Sequence, residues 1–215
     1  MLNTKGLAMN DLDFAALLVS RVCHDLVSPV GAVVNGLEVL EDETDLDMRA
    51  DALRLVAASA EQAAARLQFA RIAFGAAGSA GAELDLSEVG RIMMGLLKGG
   101  KVELVWSAQP ANWPKDWARL LMNVVLTAVD CLPRGGRVTV ESSDGAPALG
   151  LRVTAVGPVV RLSPETEQAL MGQPPGMLDG RSIQPYLTYQ LAKILAARLA
   201  IAPSAGEVTF TAGEA

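Results

Sequence analysis

Apolar residues between positions 11 and about 41 recur at spacings of three and four: Leu12, Ala15, Val19, Val22, Leu26, Val30, Val33, Leu37 and Leu40. That spacing predicts one long helix with a single apolar stripe. Asp11 stands near its start, and the acidic run at 41–47 ends it in a turn. A second helix is predicted over about 47–74, with Ala52, Val56, Ser59, Ala63, Leu67, Ala70 and Phe74 as its stripe. Its charged residues, such as Arg54, Glu61 and Arg71, fall off that stripe. Two helices of roughly 30 residues, each about 45 Å long, joined by a short turn make an antiparallel hairpin. A lone hairpin cannot cover its stripes, so the expected assembly is a four-helix bundle built from two chains, a homodimer. The Gly- and Ala-rich run at 75–83 reads as a linker. It divides the chain into a hairpin over 1–78 and a second domain over 79–215.

The pattern changes in the second domain. A helix is predicted at 86–98, and strands rich in Val and Thr at 102–106, 137–141, 151–156 and 207–211. Further helices fit 115–131 and about 185–200, and Arg134-Gly135-Gly136 supplies a turn. The fold class is α+β, with helices on one face of a mixed sheet.

Composition narrows the function classes. The chain is 51% hydrophobic and only 4% aromatic, so Ala, Leu and Val must fill most of its core. With 18 basic and 24 acidic residues the net charge is −6, which disfavours a nucleic-acid partner. Cys23 and Cys131 are too few for a disulfide scaffold and read as reduced thiols. No run of 18 uncharged apolar residues and no signal-peptide core is visible, so a cytoplasmic protein without a membrane span is expected.

His24 is the only histidine. At 100° per residue it points about 180° from the mean direction of Val22 and Leu26, away from the stripe and toward solvent. A lone histidine is more often a surface or core residue than a reactive one. Its neighbours change those odds. Pro29, inside a strongly periodic helix, removes a backbone donor and leaves the Asp25 carbonyl, four residues back, without its usual partner. A kink just beyond His24 should follow. A neutral imidazole is a good nucleophile at physiological pH and can attack the phosphorus of an acyl phosphate. Asp25 can hold one ring nitrogen protonated and leave the other free. One histidine without a second ligand at helical spacing is not a metal site.

The segment HDLVSP (24–29) resembles the phospho-acceptor box of sensor histidine kinases, His-Glu/Asp-Leu-x-x-Pro, at every defined position. The longer runs HDLVSPVGAVVNGLEVLED (24–42) and LQFARIAFGA (67–76) resemble the ChpT family of alphaproteobacterial histidine phosphotransferases. The resemblance covers nearly the whole chain and is strongest over 13–78. It implies a homodimer, a helical-hairpin dimerisation domain, and a degenerate kinase-type (Bergerat-like) ATP-binding domain. It implies a phosphorelay through His24 from the receiver of a hybrid kinase to response-regulator receivers, similar to those of CckA, CtrA and CpdR. Receivers normally carry Mg²⁺ of their own, so no metal or cofactor is expected on this chain.

The run LLMNVVLTAVDCLPRGGRVTV (120–140) is similar to the kinase segment with two asparagines four apart. Asn123 matches the first; the second, a Mg²⁺ ligand in kinases, is Thr127, and a lysine expected near the phosphates is Asp130. Gly157 stands where the adenine-reading acid belongs, Val159 and Arg161 replace two glycines of that box, and residues 181–205 contain no glycine for a lid. ATP binding is therefore not expected. Arg21, Val27, Ser28 and Gly31, within a turn or two of His24, are candidate docking residues, as are Phe69 and Arg71 on the second helix. Each is equally readable as an ordinary helix residue. Two alternatives remain: an ATP-dependent histidine kinase, and a non-catalytic module that binds receivers.

Overall fold

The computed structural model describes residues 11–75, 82–143, 149–173, 178–180 and 182–214. Helix α1 (Asp11–Asp42) and helix α2 (Leu46–Ala73) form the expected hairpin. The turn between them satisfies its own backbone. Asp45 Oδ1 caps α2 by accepting from the Asp47 and Met48 amides at 2.9 and 3.0 Å. The last turn of α1 has no basic residue of its own. Arg49 of α2 reaches back instead, donating to the carbonyls of Leu40 and Glu43 at 2.6 and 2.8 Å. The helices approach closely at the buried Gly36, where an added Cβ would lie 2.6 Å from Val56 Cγ2.

α1 runs through the buried Pro29 as one continuous helix. Its predicted stripe splits in two. Val22, Leu26, Val33 and Leu40 are half-buried within the chain. Leu12, Val19, Val30 and Leu37 are exposed, and Val27 and Val34 extend that open face. The expected stripe lies between two apolar faces, only one of which α2 and the second unit cover. Apolar residues on two faces also make α1 apolar enough, by length and composition alone, to cross a bilayer, with mean hydropathy 1.5. The helix still holds no run of 18 uncharged apolar residues, because Arg21 and Asp25 interrupt it. Two charges, Arg21 and Asp25, sit in its middle and face the rest of the protein.

On α2, Ala52 and Ser59 are buried and Val56, Ala63 and Ala70 half-buried as predicted. Leu67 is exposed, because Arg66 takes the inward position beside it. The C-terminal turn of α2 roots the hairpin in the second unit's core: Phe69, Ile72 and Ala73 are buried with Leu86, Met93 and Leu120.

That second unit is α+β. Its sheet contains β2 (Val102–Trp106), β4 (Gly136–Ser143), β5 (Gly150–Val156), β7 (Glu207–Glu214) and β6 (Ala197–Ser204), in that spatial order. β2 and β4 are parallel and the other neighbours antiparallel. Helix α4 (Lys115–Asp130) packs its apolar face on the sheet, burying Leu121, Val125 and Ala128 with Val138, Val153 and Phe210. α3 (Leu86–Leu97), α5 (Pro164–Leu170) and α6 (Ile183–Ile194) complete the helical layer. A two-stranded ribbon of β1 (Glu83–Asp85) and β3 (Asn112–Pro114) lies beside it.

Two expectations change here. The helix predicted at about 185–200 ends at Ile194, and the chain turns through Ala196 at φ 51° into β6. The alanines of 197–202 favour a helix intrinsically. Pairing with β7 overrides them, placing Leu199 opposite Ala212 and Ile201 opposite Phe210. The short elements β1, β3 and α5 carry too little periodicity to be read from sequence. Most of the predicted linker, 76–81, and with it the 78/79 boundary, lies outside the described residues.

Candidate functional site

Midway along α1, the His24 side chain is 86% exposed. Its Nδ1 lies 3.4 Å from Asp25 Oδ1. A proton on Nδ1 then points at the carboxylate and leaves the Nε2 lone pair outward. Asp25 is held at both ends. Its Oδ2 accepts from Arg21 Nε at 3.0 Å, and its backbone carbonyl accepts from Arg66 Nη1 of α2 at 2.8 Å. That carbonyl is the one Pro29 deprives of a helical donor, and a side chain 41 positions away supplies the missing bond. Arg21 Nη1 also donates to the Gly180 carbonyl at 3.2 Å, tying α1 to the second unit.

Between α1 and the second unit lies a cleft of about 1060 Å³, lined among others by His24, Arg21, Thr127, Asp130, Arg161 and Ser182. Asp130 lines this cleft and is exposed to its water. Desolvation there pushes its carboxyl above the ordinary range; Arg21 opposes the shift and Asp25 adds to it. Its neighbour Cys131 is buried, and burial plus the Asp130 charge push the thiol up to about 12.

The residue matching the first kinase asparagine is committed to the protein interior. Asn123 is fully buried, and its Nδ2 donates to the Ala73 and Arg119 carbonyls at 3.2 and 2.9 Å. Gln184 Nε2 donates to the Asn123 carbonyl at 2.8 Å and reaches its Oδ1 at 3.3 Å. Thr127 and Thr188 hydroxyls close the network onto the Asn123 and Gln184 carbonyls at 2.9 and 3.0 Å. Sequence reasoning missed Gln184 and Thr188. The available signal was a pair of polar residues four apart in an apolar helix, matching the pair Asn123 and Thr127 on α4.

The docking candidates separate. Val27, Ser28 and Arg71 are exposed, and Gly31 borders open space. Arg21 is only 15% exposed and is engaged with Asp25 and Gly180, so it holds the site together rather than offering a free contact. Phe69 is 4% exposed, edge-on to Phe74 with ring centroids 5.5 Å apart, and a docking protein cannot touch it. This removes Phe69 from the candidate docking residues: it belongs to the core that receives the end of α2. Among the described residues no cluster of three His, Cys, Asp or Glu side chains is placed to hold a metal ion.

Residues 86–207 match the family model of the histidine phosphotransferase C-terminal domain. The chain is 40% identical to the protein phosphotransferase ChpT of Brucella abortus (strain 2308), over 95% of this chain and 97% of that protein. The chain belongs to the histidine phosphotransferase family. As a member it is a phosphotransferase, related to ChpT across both its units. A solved bacterial phosphotransferase, 35% identical, superposes with a TM-score of 0.86 over 96% of this chain and 98% of its own. The histidine kinase AdeS of Acinetobacter baumannii is 13% identical, with a TM-score of 0.46 over 89% of this chain and 97% of its own.

Proposed function

We propose that the chain relays phosphoryl groups between receiver-domain aspartates through His24, without consuming ATP. The observation that carries this reading is an exposed imidazole whose Nδ1 faces the carboxylate of Asp25, a residue held by Arg21 at its Oδ2 and by Arg66 at its backbone carbonyl. In the forward step, Nε2 attacks the phosphorus of a receiver's aspartyl phosphate. A P–N bond forms, the P–O bond to the aspartate breaks, and the carboxylate leaves with the electron pair. In the second step the aspartate of another receiver attacks the same phosphorus, and His24 leaves as neutral imidazole. Asp25 orients the ring and stabilises the positive charge that develops on it. The partner receiver supplies Mg²⁺ to neutralise the transferring oxygens, so this chain holds no cofactor or metal for the step.

The partners are receiver domains of a hybrid histidine kinase and of response regulators, of the CckA, CtrA and CpdR type. Val27, Ser28, Gly31 and Arg71 are the docking residues from α1 and α2. The chain acts in the cytoplasm as a homodimer whose α1 and α2 helices form a four-helix bundle. A second copy, not lipid, covers the open face of α1. The kinase alternative is disfavoured because Asn123 is committed to internal hydrogen bonds and Asp130 would repel a polyphosphate.

The test is a transfer assay with purified receivers, one carrying labelled phosphate. Label should appear on this chain and then on the second receiver, with no ATP present. Transfer that continues with His24→Gln refutes the reading; labelling only from ATP favours the kinase.

A further inference from the structure

Pro29 and Arg66 form a matched pair across the hairpin. In an uninterrupted helix the Asp25 carbonyl would accept from the amide of residue 29. Proline has no amide proton, and its ring crowds that same carbonyl. Asp25 and Arg66 are both half-buried where α1 meets α2, and an acceptor left unpaired there is costly. Arg66 Nη1 meets it at 2.8 Å. The guanidinium reaches this point through a hollow of about 200 Å³ whose walls include Val22, Leu26, Phe69, Leu96 and Leu126. Its Nε is buried there with no partner among the described residues. Asp25, Asp130 and Arg21 line the same hollow, yet the hydrogen bond that Arg66 makes goes to the carbonyl one residue beyond His24.

We propose that Arg66 is a positioning residue for phosphoryl transfer, supplying from α2 the donor that Pro29 lacks. The inference rests on His24 being the phospho-acceptor. The physical chain is short. The Asp25 carbonyl sets the backbone rotation of Asp25, which directs the carboxylate that faces His24 Nδ1. Arg21 fixes the carboxylate end of Asp25 and Arg66 fixes the main-chain end. Without Arg66 the carbonyl would turn toward another donor and carry the carboxylate with it. Nε2 would then lose its fixed aim at an incoming phosphorus. Arg66 touches neither the imidazole nor the phosphoryl group, so its effect passes entirely through Asp25.

Pro29→Ala provides the discriminating background, because alanine restores the amide donor within α1. The full chain is compared as wild type, Arg66→Met, Pro29→Ala and the double variant, with a phosphorylated receiver as donor. In the Pro29 background Arg66→Met should slow labelling of His24 by about ten- to hundredfold. In the Pro29→Ala background the same change should cost no more than about twofold. Since His24 is the sole histidine, its imidazole nitrogen resonances give an independent readout. They should shift on Arg66→Met with Pro29 present and return toward their wild-type positions in the double variant. Equal losses in both backgrounds, or a wild-type rate for Arg66→Met, overturn the inference. If Arg66→Met fails to fold, the double variant should fold and match Pro29→Ala; if it does not, the inference is wrong. A wild-type chain that takes no label sinks the His24 reading itself, which is a distinct outcome.

Discussion

Arg21 on α1 donates to the carbonyl oxygen of Gly180, 3.2 Å away and 159 positions along the chain. The same guanidinium holds Asp25 Oδ2 at 3.0 Å. One side chain therefore joins the helix that carries His24 to the second unit and fixes the carboxylate beside the imidazole. Arg21→Ala removes both bonds and leaves a half-buried carboxylate without its cation. The fold should lose about 1–3 kcal/mol, measured by urea denaturation. Transfer through His24 should slow by about tenfold or more, measured with a labelled receiver. Asp25→Asn should slow transfer as well, with a smaller loss of stability, because the amide can still accept from Arg21.

Asp130 gives a pH dependence of defined sign. Desolvation raises its carboxyl above the ordinary 3.8, against the pull of Arg21 and with the push of Asp25. An acid raised in the folded state binds its proton more tightly folded than unfolded. Its ionised form therefore weakens the fold above the raised value, and that penalty fades as pH falls through the raised value toward the unfolded one. Asp130→Asn should raise the thermal midpoint at about pH 7–8, and the gain should shrink toward zero near about pH 4. Thermal unfolding across that range checks both the sign and the trend. A gain that grows on acidification would contradict the placement of this carboxylate.

The two cysteines should react differently. Cys131 is buried with its thiol pushed up to about 12, while Cys23 is exposed on α1. Thiolate is the reactive species. Native protein at about pH 8 should therefore gain at most one alkyl group, and urea should release the second thiol, as read by intact mass. Rapid double labelling of folded protein would show that Cys131 is accessible.

The open apolar face of α1 sets the expected assembly. Val30 and Leu37 are each 48% exposed, and they share that face with Val19 and Val34. Such a contiguous patch marks an interface. Replacing Val30 and Leu37 together by Asp should halve the sedimenting mass, since neither residue belongs to the chain's own core. A wild-type chain that sediments as a monomer would contradict the proposed dimer, and an unchanged dimer mass for the double variant would show that this face does not hold it together.

Local features of the site were legible in the sequence. The periodicity of 11–41 placed His24 off the packed stripe, and Pro29 marked the Asp25 carbonyl as an acceptor without a helical donor. The identity of the replacement donor was not legible. Arg66 lies 41 positions away; its spacing from Ser59, Ala63 and Ala70 sets it at the edge of the α2 stripe, but that spacing does not say which acceptor it meets. The sequence leaves Phe69 open between docking and packing for a related reason. An aromatic near a helix end fits either a surface or a core, and only the packing of α2 against α3 and α4 decides. The stripe of α1 merged two apolar faces because periodicity records polarity and not which neighbour covers each side. In the second unit, the alanines of β6 favoured a helix locally, and the pairing that overrides them comes from β7. The changed residues Thr127 and Asp130 were readable against the kinase pattern, but the Gln184 and Thr188 network around Asn123 required the fold.

The most direct test of the account is to locate the phosphate. The chain is incubated with a phosphorylated receiver, and the modified residue is identified by mass spectrometry at neutral or alkaline pH, where a phosphoramidate survives. Phosphate should sit on His24 and vanish with His24→Gln. That variant should keep the wild-type unfolding free energy to within about 0.5 kcal/mol, because the side chain it replaces is solvent-exposed. Phosphate on any other residue, or undiminished labelling of a folded His24→Gln chain, would contradict it.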